Sequence, residues 1–278
     1  MLLLGIDIGT SFIKVAAVDA SSQQIVATAQ CPDSENPITS LKAGWAEQSP
    51  EMWWEQTLEA IDKLIASKKI DPKEIRAIGI SYQMHGLVLV DKDQKVLRDS
   101  IIWCDSRAVE IGEKAFSEIG DETCSSCLLN SPGNFTASKL AWVKKNEPDI
   151  YNKVDKIMLP GDFIAMKLTG QTTTTSSALS EGILWDFKKD QISEEVMQNF
   201  GFENSLIPEV TDLFSSHGKI LPELAHRLGL NEIVEVTYKA GDQPNNALSL
   251  NVLQPGEVAA NAGTSGVIYA VTEKLFSD

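Results

Sequence analysis

A carboxylate followed by a short turn rich in hydroxyl groups is the first feature of this sequence suited to chemistry on a phosphate. Asp7 lies in an apolar run that leads into Gly9, Thr10 and Ser11. A glycine lets the backbone approach an oxyanion closely, and hydroxyl groups add hydrogen-bond donors. Because a carboxylate repels phosphate, Asp7 in this role requires a cation such as Mg²⁺ beside it. The alternative is an aspartate that only caps a turn.

The same tripeptide recurs near the end of the chain, at Gly263, Thr264 and Ser265. Each copy follows an apolar, β-compatible run, so each is predicted to form the tip of a hairpin. A single turn of this kind is more often a plain hairpin than a phosphate cradle. Two copies in one chain indicate a duplicated fold that closes on a polyphosphate from both sides.

Asp242 is the second carboxylate of interest. It lies between a strand predicted over residues 233–240 and a helix predicted over residues 245–251, where a sheet usually opens into a cleft. A carboxylate held there can accept the proton of a hydroxyl nucleophile as a general base. A strand-end aspartate is as often the N-cap of a helix. Gln243, beside it, can hydrogen-bond a polyol hydroxyl or simply face solvent.

A polar loop between two predicted strands could bind a sugar. Gln83, Met84 and His85 connect the strands predicted over residues 75–81 and 87–91. An amide and a neutral imidazole in this loop could hydrogen-bond sugar hydroxyls. From this segment alone, a packed loop with a satisfied histidine is the better interpretation.

Two other motifs favour structural interpretations. Trp103 could pack on the C–H face of a sugar, but tryptophan is more often part of a core. The pair Asp105 and Arg107 indicates a brace or a helix cap. Cys124 and Cys127 form a C-x-x-C motif, but no further cysteine or histidine stands close in sequence to complete a zinc site.

The elements that must position these residues alternate between strand and helix. Strands are predicted over residues 2–8, 12–18 and 25–29, ahead of the strand that begins at residue 75. Between residues 105 and 230 the chain is predicted to be mostly helical. Strand, helix and strand in this order favour an α/β fold.

The first long helix has a clear start. Ser49 is a predicted N-cap and Pro50 occupies the first helical position. Apolar residues then recur at spacings of four, three and four, which predicts one buried face. That predicted face consists of Trp54, Leu58, Ile61 and Ile65.

Composition narrows the class of protein. The chain has 278 residues, of which 43% are hydrophobic and 23% charged, so a folded rather than disordered protein is expected. No apolar stretch approaches the ~20 residues of a membrane span, and the N-terminus lacks the basic flank of a signal peptide. The net charge is −15, which disfavours nucleic acid as a partner. We expect a cytoplasmic protein without a nucleic-acid or membrane partner.

Taken in order, these motifs resemble the FGGY family of carbohydrate kinases. The resemblance extends from Gly5 to about Ile268. Its landmarks are the segments 7–11, 44–48, 83–86, 103–107, 135–142, 159–162, 241–242 and 263–266. So many landmarks in family order are specific for the family and less specific for the sugar.

The resemblance implies an actin-like, ribonuclease-H-type α/β fold, with a mixed sheet, an inserted helical elaboration and two such domains flanking a cleft. It implies an ATP-dependent sugar kinase in which Asp242 takes the proton of the substrate hydroxyl and Asp7 positions Mg²⁺ and the γ-phosphate. The implied phosphate-binding residues are Gly9, Thr10, Ser11, Gly263, Thr264 and Ser265. The implied sugar-binding residues are Gln83, Met84, His85, Trp103, Asp242 and Gln243. A homodimer is possible.

The segment 83–86 is most similar to the corresponding segment of family members that act on D-xylulose. Gln243 departs from the asparagine usual there and is closer to members acting on glycerol. Asn134 replaces a small glycine expected ahead of Phe135. Ribulose, fuculose or glycerol as the substrate therefore stay open, as does a non-catalytic sugar-sensing module with the same fold.

Family members continue well beyond the length of this chain into a second domain that holds the adenine. We therefore expect residues 1–254 to form the N-terminal, sugar-binding domain. We expect residues 255–278 to form the first hairpin of a nucleotide-binding domain. On this expectation the chain is a fragment that binds sugar weakly at best and does not turn over ATP alone.

Overall fold

Short strands and helices alternate along the chain, in a computed structural model that describes residues 1–262 and 266–275. The strands are β1 Leu2–Ile8, β2 Ile13–Asp19, β3 Gln24–Cys31, β4 Glu47–Gln48, β5 Ile75–Tyr82, β6 Val88–Val90, β7 Ser100–Ile101, β8 Lys156–Met158, β9 Thr173–Thr174, β10 Trp185–Asp186, β11 Gln191–Ile192, β12 Glu209–Val210, β13 Glu235–Gly241, β14 Val258–Ala262 and β15 Gly266–Ala270. The helices are α1 Pro50–Ala66, α2 Val109–Ile119, α3 Asp121–Thr123, α4 Thr136–Asn146, α5 Pro148–Tyr151, α6 Pro160–Thr169, α7 Ser176–Glu181, α8 Glu194–Phe200, α9 Pro222–Leu228 and α10 Asp242–Ser249.

A five-stranded mixed sheet in the order β13-β5-β1-β2-β3 organises the fold. β1, β2 and β3 pair antiparallel because short turns join them, whereas β5 and β13 run parallel to β1 after long crossovers. This topology confirms the α/β, ribonuclease-H-type sheet that the resemblance implies. The carboxyl ends of β1, β5 and β13 meet at one edge, which brings together segments far apart in sequence.

Alternation along β1 decides which side chains reach that edge. Leu4, Ile6 and Ile8 are buried in the core, while Asp7 between them is only half-buried. Successive residues of a strand point to opposite faces, so Asp7 lies on the face away from these apolar side chains. The predicted orientation of this carboxylate is therefore confirmed.

Helix α1 begins as predicted, but its buried face differs from the prediction. The hydroxyl of Ser49 accepts a hydrogen bond from the backbone N–H of Met52. The buried residues are Pro50, Trp53, Thr57, Ala60, Ile61 and Leu64. Of the predicted face only Ile61 is fully buried; the other three pack at the side. Small Thr57 and Ala60 let the helix approach the sheet closely, a feature that counting large apolar residues misses.

The helical elaboration has a core of its own. One buried cluster lies around the five-stranded sheet with α1 and α6, and a second lies among α4, α7, α8 and neighbouring loops.

The guanidinium of Arg107 forms ion pairs with the carboxylates of Asp105 and Glu47, at 2.7 Å each, and all three side chains are at most 8% exposed. The Asp105–Arg107 pair is thus a buried brace, as its spacing indicated.

Two further sequence features have plain structural outcomes. Cys124 is buried in a π-helical turn, Cys124–Leu128, and both cysteines of the C-x-x-C motif are free thiols. Among the helices in the described ranges, none combines the length and apolar character needed to cross a membrane.

Candidate active site

A cavity of about 350 Å³ opens at the carboxyl edge of the central sheet. Its lining consists of Thr10, Gln83, Met84, His85, Trp103, Asp242, Gln243 and Val267. The structure therefore brings all six predicted sugar-binding residues to one place. A second cavity of about 520 Å³ shares Met84, His85 and Gln243 with it and reaches Glu181.

Asp242 lines this cavity, and Asp7 lies at the same carboxyl edge of the sheet. In register, Asp7 pairs with Ser81 of β5, and Ser81 pairs with Ala240 of β13. β5 lies between β1 and β13, so these two strands are roughly 10 Å apart at ordinary strand spacing. Burial and then the negative charge of nearby Asp7 raise the pKa of Asp242. Phosphoryl transfer to a hydroxyl in the space between the two carboxylates would need them to be this near to each other.

Asp242 occupies the first position of α10, directly after β13. The N-cap is Gly241, and it makes no side-chain capping bond, so the N-cap alternative for Asp242 does not hold. The helix starts three residues before the predicted start, because Pro244 fits the first turn instead of ending the loop. Burial is the main cause that raises the pKa of Asp242, and hydrogen bonds from Gln243 oppose it.

Asp7 is similarly placed. Burial raises the pKa of Asp7, while the positive charge of Lys14 and a hydrogen bond from Ser81 oppose the shift. Two desolvated carboxylates that repel each other favour a cation between or near them. Hard oxygen ligands are what Mg²⁺ prefers, usually one or two carboxylates together with substrate phosphates. The donor set at this mouth therefore fits Mg²⁺, although the described residues contain no cluster of three or more potential ligands.

Thr10, in the turn after β1, is hydrogen-bonded to two of the predicted sugar-binding residues, Gln83 and Trp103. Its hydroxyl donates to Gln83 Oε1 and accepts from Trp103 Nε1, each at 3.0 Å. Gln83 also donates through Nε2 to Gln48 Oε1, at 3.2 Å, and is only 2% exposed. The amide of Gln83 is thus committed to protein partners, and it fixes the geometry of the loop.

Trp103 is not a core residue. Its side chain is 50% exposed at the cavity, while its indole N–H is held by Thr10. The ring is therefore both oriented and accessible. The core alternative for this tryptophan is wrong, and a surface on which the C–H face of a sugar can pack is present.

Gly9 closes the turn between β1 and β2. Its N–H donates to the carbonyl of Phe12 at 3.1 Å, and a Cβ on Gly9 would lie 2.9 Å from that oxygen. The close approach requires glycine. The carbonyl of Ser11 accepts from the N–H of Asn36 at 2.9 Å. The second predicted cradle, Gly263, Thr264 and Ser265, lies outside the described residues, although the flanking strands β14 and β15 pair as predicted.

His85 is held firmly in an unusual backbone conformation. Its φ is +61°, and its N–H donates to Glu181 Oε1 at 3.1 Å. The ring nitrogen Nδ1 lies 3.1 Å from the carbonyl oxygen of Glu181. Because a carbonyl can only accept, Nδ1 carries the proton, and neutral His85 presents Nε2 as an acceptor. Phe135 packs edge-on against the ring, with a centroid distance of 4.7 Å.

Burial lowers the pKa of His85 to about 4, and the nearby positive charge of Lys139 contributes to the shift. A folded pKa below the ordinary 6.5 means that the unfolded chain binds the proton more readily. The stability from neutral His85 is therefore complete above about pH 6.5 and is lost as the pH falls towards about 4. We expect this loss to reach up to about 3 kcal/mol.

Urea unfolding of His85→Asn between pH 7 and pH 4 tests this expectation, since asparagine also tolerates positive φ. The variant should lose less free energy of unfolding than the wild type as the pH falls. His226→Gln on α9 replaces an exposed histidine and should keep the wild-type slope. If His85→Asn also keeps that slope, the buried histidine is not the group that titrates.

Three buried residues that the sequence analysis did not assign to the site hold its loops in place by hydrogen bonds. Lys139 is fully buried and donates to the carbonyls of His85 and Ile102, at 2.8 and 3.0 Å. Gln48 joins Gln83 to the backbone of Thr10. Glu181 holds His85. A lysine among the apolar residues of a helix is a sequence signal for a buried, functional cation. Glu181 stands at the end of a helix, where a glutamate gives no such signal.

Comparison with known proteins identifies the family of this chain. Residues 2–249 match the family model described as the FGGY family of carbohydrate kinases, N-terminal domain. The chain is 31% identical to the xylulose kinase of Bacillus subtilis over 276 residues, which cover 99% of this chain and 54% of that protein.

Solved structures show the same fold. A xyloylose kinase from Brucella ovis is 31% identical, with a TM-score of 0.89 over 97% of this chain and 55% of that one. A xylulose kinase from Rhodospirillum rubrum, 24% identical, matches the fold with a TM-score of 0.91 over 100% of this chain and 56% of that one. The chain thus spans about half the length of the relatives it matches. With its sheet, cleft and family match, this chain belongs to the FGGY family of carbohydrate kinases.

Proposed function

We propose that the protein takes part in ATP-dependent phosphorylation of a ketopentose, with D-xylulose, giving D-xylulose 5-phosphate, as the first candidate. The observation that carries the proposal is the pair of carboxylates at the carboxyl edge of the sheet: Asp242 lines a cavity together with His85 and exposed Trp103, and Asp7 lies on β1, two strands away from β13. Relatives about 30% identical are named xylulose kinases, which supports this choice of sugar.

Asp242 is the general base in this proposal. Its raised pKa makes it a better proton acceptor than an ordinary aspartate, and it lines the cavity from the start of α10. It takes the proton of the sugar hydroxyl as that oxygen attacks the γ-phosphorus of ATP. Most of the remaining catalysis is alignment and charge neutralisation, because phosphoryl transfer needs little covalent help from a protein.

Asp7 is the residue that would hold Mg²⁺. When bound, the ion neutralises charge on the transferring phosphoryl group and on the phosphates beside it. Thr10 and Ser11, with the close-approaching backbone of Gly9, would lie along the phosphates, and Gly263, Thr264 and Ser265 would do so from the other side. Exclusion of water from this mouth would limit wasteful ATP hydrolysis.

The sugar is bound by groups of complementary type. His85 accepts a hydrogen bond from a sugar hydroxyl at Nε2, and the side-chain amide of Gln243 offers both a donor and an acceptor. Trp103 covers a C–H face. Met84 packs between the loop and β13, since a Cβ on Gly241 would lie 2.6 Å from Met84 Cγ. We assign Gln83 to orienting Thr10 and this loop.

The division of labour along the chain is part of the proposal. Residues 1–254 form the sugar-binding domain, and residues 255–278 begin a nucleotide-binding domain. The sugar site described above is built almost entirely from the first range. On this division, sugar binding and ATP turnover are both measured with the full-length gene product.

Calorimetric titration with D-xylulose, D-ribulose, L-fuculose and glycerol tests the substrate. We expect D-xylulose to bind to the full-length gene product in the ~1 μM to 1 mM range typical of metabolic enzymes, and at least about tenfold more tightly than the others. ATP consumption should depend on the preferred sugar. Tighter binding of another compound would replace D-xylulose, and binding without any turnover would favour a sugar-sensing module.

A further inference from the structure

Glu181 is the buried acid on which the sugar loop rests. It lies at the end of α7, is 8% exposed, and lines the larger of the two cavities. One carboxylate oxygen, Oε1, accepts from the N–H of His85, and the backbone carbonyl of Glu181 accepts from His85 Nδ1. The same residue therefore fixes both the backbone and the ring of His85.

The other oxygen of Glu181 reaches the strand that carries the proposed base. A Cβ built on Gly241 would lie only 2.7 Å from Glu181 Oε2, so this oxygen lies against the backbone just ahead of Asp242. The hydroxyl of Tyr82, on β5, is 3.5 Å from Oε2. Glu181 thus spans the gap between the sugar loop and the start of α10.

The groups facing Glu181 favour its neutral form. Burial, followed by the negative charges of Asp162 on α6 and Asp242 on α10, raises the pKa of Glu181 well above its ordinary value. The hydrogen bonds from His85 and Tyr82 oppose this shift. A neutral acid can support Asp242 without adding a further full negative charge beside it.

We infer that Glu181 is a positioning residue for the sugar site: it sets the conformation of His85 and supports the backbone that carries Asp242. The inference rests on the proposed function, because sugar binding is its readout. His85 has a positive φ, a conformation that a non-glycine residue keeps only where surrounding contacts impose it. Without the Oε1 acceptor, the partly buried N–H of His85 would lose its partner, which is costly.

Two substitutions of similar size separate positioning from packing. Glu181→Gln keeps an acceptor oxygen and is always neutral, whereas Glu181→Met fills the same space without any hydrogen bond. We expect Glu181→Gln to keep the Kd for D-xylulose within about threefold of the wild type and Glu181→Met to weaken it by about tenfold or more. Thermal unfolding of both variants checks that each is folded.

The outcomes are distinct. Equal binding by folded Glu181→Gln and Glu181→Met would mean that Glu181 only fills space, and equal loss in both would mean that its charge is needed. Either result overturns the inference. If the wild type binds none of the four compounds of that panel, the proposed function fails instead.

A measurement on the wild type keeps the inference testable even where a variant does not fold. The ¹⁵N chemical shifts of the His85 ring report its tautomer. We expect the form protonated at Nδ1, which the Glu181 carbonyl requires. A ring protonated at Nε2 would show that Glu181 does not hold it.

Discussion

Asp242→Asn is expected to lower kcat of the full-length gene product by about 10²–10⁴-fold, the range typical of a lost general base. Asparagine keeps the size and the position of the side chain at the start of α10 but cannot accept the substrate proton. Binding of the sugar should change by only a few-fold, because the amide still hydrogen-bonds a hydroxyl. Sugar-dependent ADP release gives kcat, and calorimetry gives the sugar Kd.

A second aspartate provides the matched control for this variant. Asp190 is exposed and has a φ of +52°, a conformation that asparagine also tolerates. Asp190→Asn removes the same unit of charge as Asp242→Asn. Because Asp190 does not line either cavity of the site, this variant should leave kcat unchanged. Retention of more than about a tenth of wild-type turnover by Asp242→Asn would remove Asp242 from the role of base.

Gly161→Ala is expected to lower the free energy of unfolding by about 3 kcal/mol, at the upper end for overpacking in a core. Gly161 is in the first turn of α6, and its Cβ would lie 2.1 Å from Tyr82 Cδ1 and 2.6 Å from Cε1. The ring of Tyr82 is 1% exposed and its hydroxyl lies beside Glu181, so it has little room to move. Urea unfolding at neutral pH measures the change.

Gly79→Ala is the control on the same strand as Tyr82. Its Cβ would lie 3.6 Å from Tyr238 Cδ1, an ordinary van der Waals contact. We expect a change of less than about 1 kcal/mol in this variant. If Gly161→Ala is as stable as Gly79→Ala, Tyr82 can leave its position, and the support that it gives to the carboxyl edge is looser than described.

Period-two alternation made the central sheet largely predictable. The apolar residues of β1 on one face identified Asp7 as the outward carboxylate, and the strand leading to Gly241 placed Asp242 at an edge. Meeting of the two acids was predictable only from the family resemblance, because no local pattern states which parallel strands will be neighbours. The order of the strands in the sheet provides that information.

The rest depends on contacts that leave no local signal. Glu181 ends a short helix ahead of Gly182, and nothing in that position indicates a hydrogen bond to His85. The buried face of α1 was misassigned because Trp53 and Trp54 are adjacent and both apolar, so spacing alone allows either row. Tertiary packing of small Thr57 and Ala60 decided between them. The early start of α10 likewise follows from Pro244 being accommodated in a first turn.

The place of β13 at the margin of the central sheet has a consequence for how the site is assembled during synthesis. Strands β1, β2, β3 and β5, with α1, come from the first third of the chain and can associate as soon as that third has left the ribosome. β13 adds to them only after more than 150 further residues have been made. Such long-range pairing is intrinsically slow. A nascent chain therefore holds one acid of the pair well before it acquires the other, and no intermediate that ends before Asp242 has both.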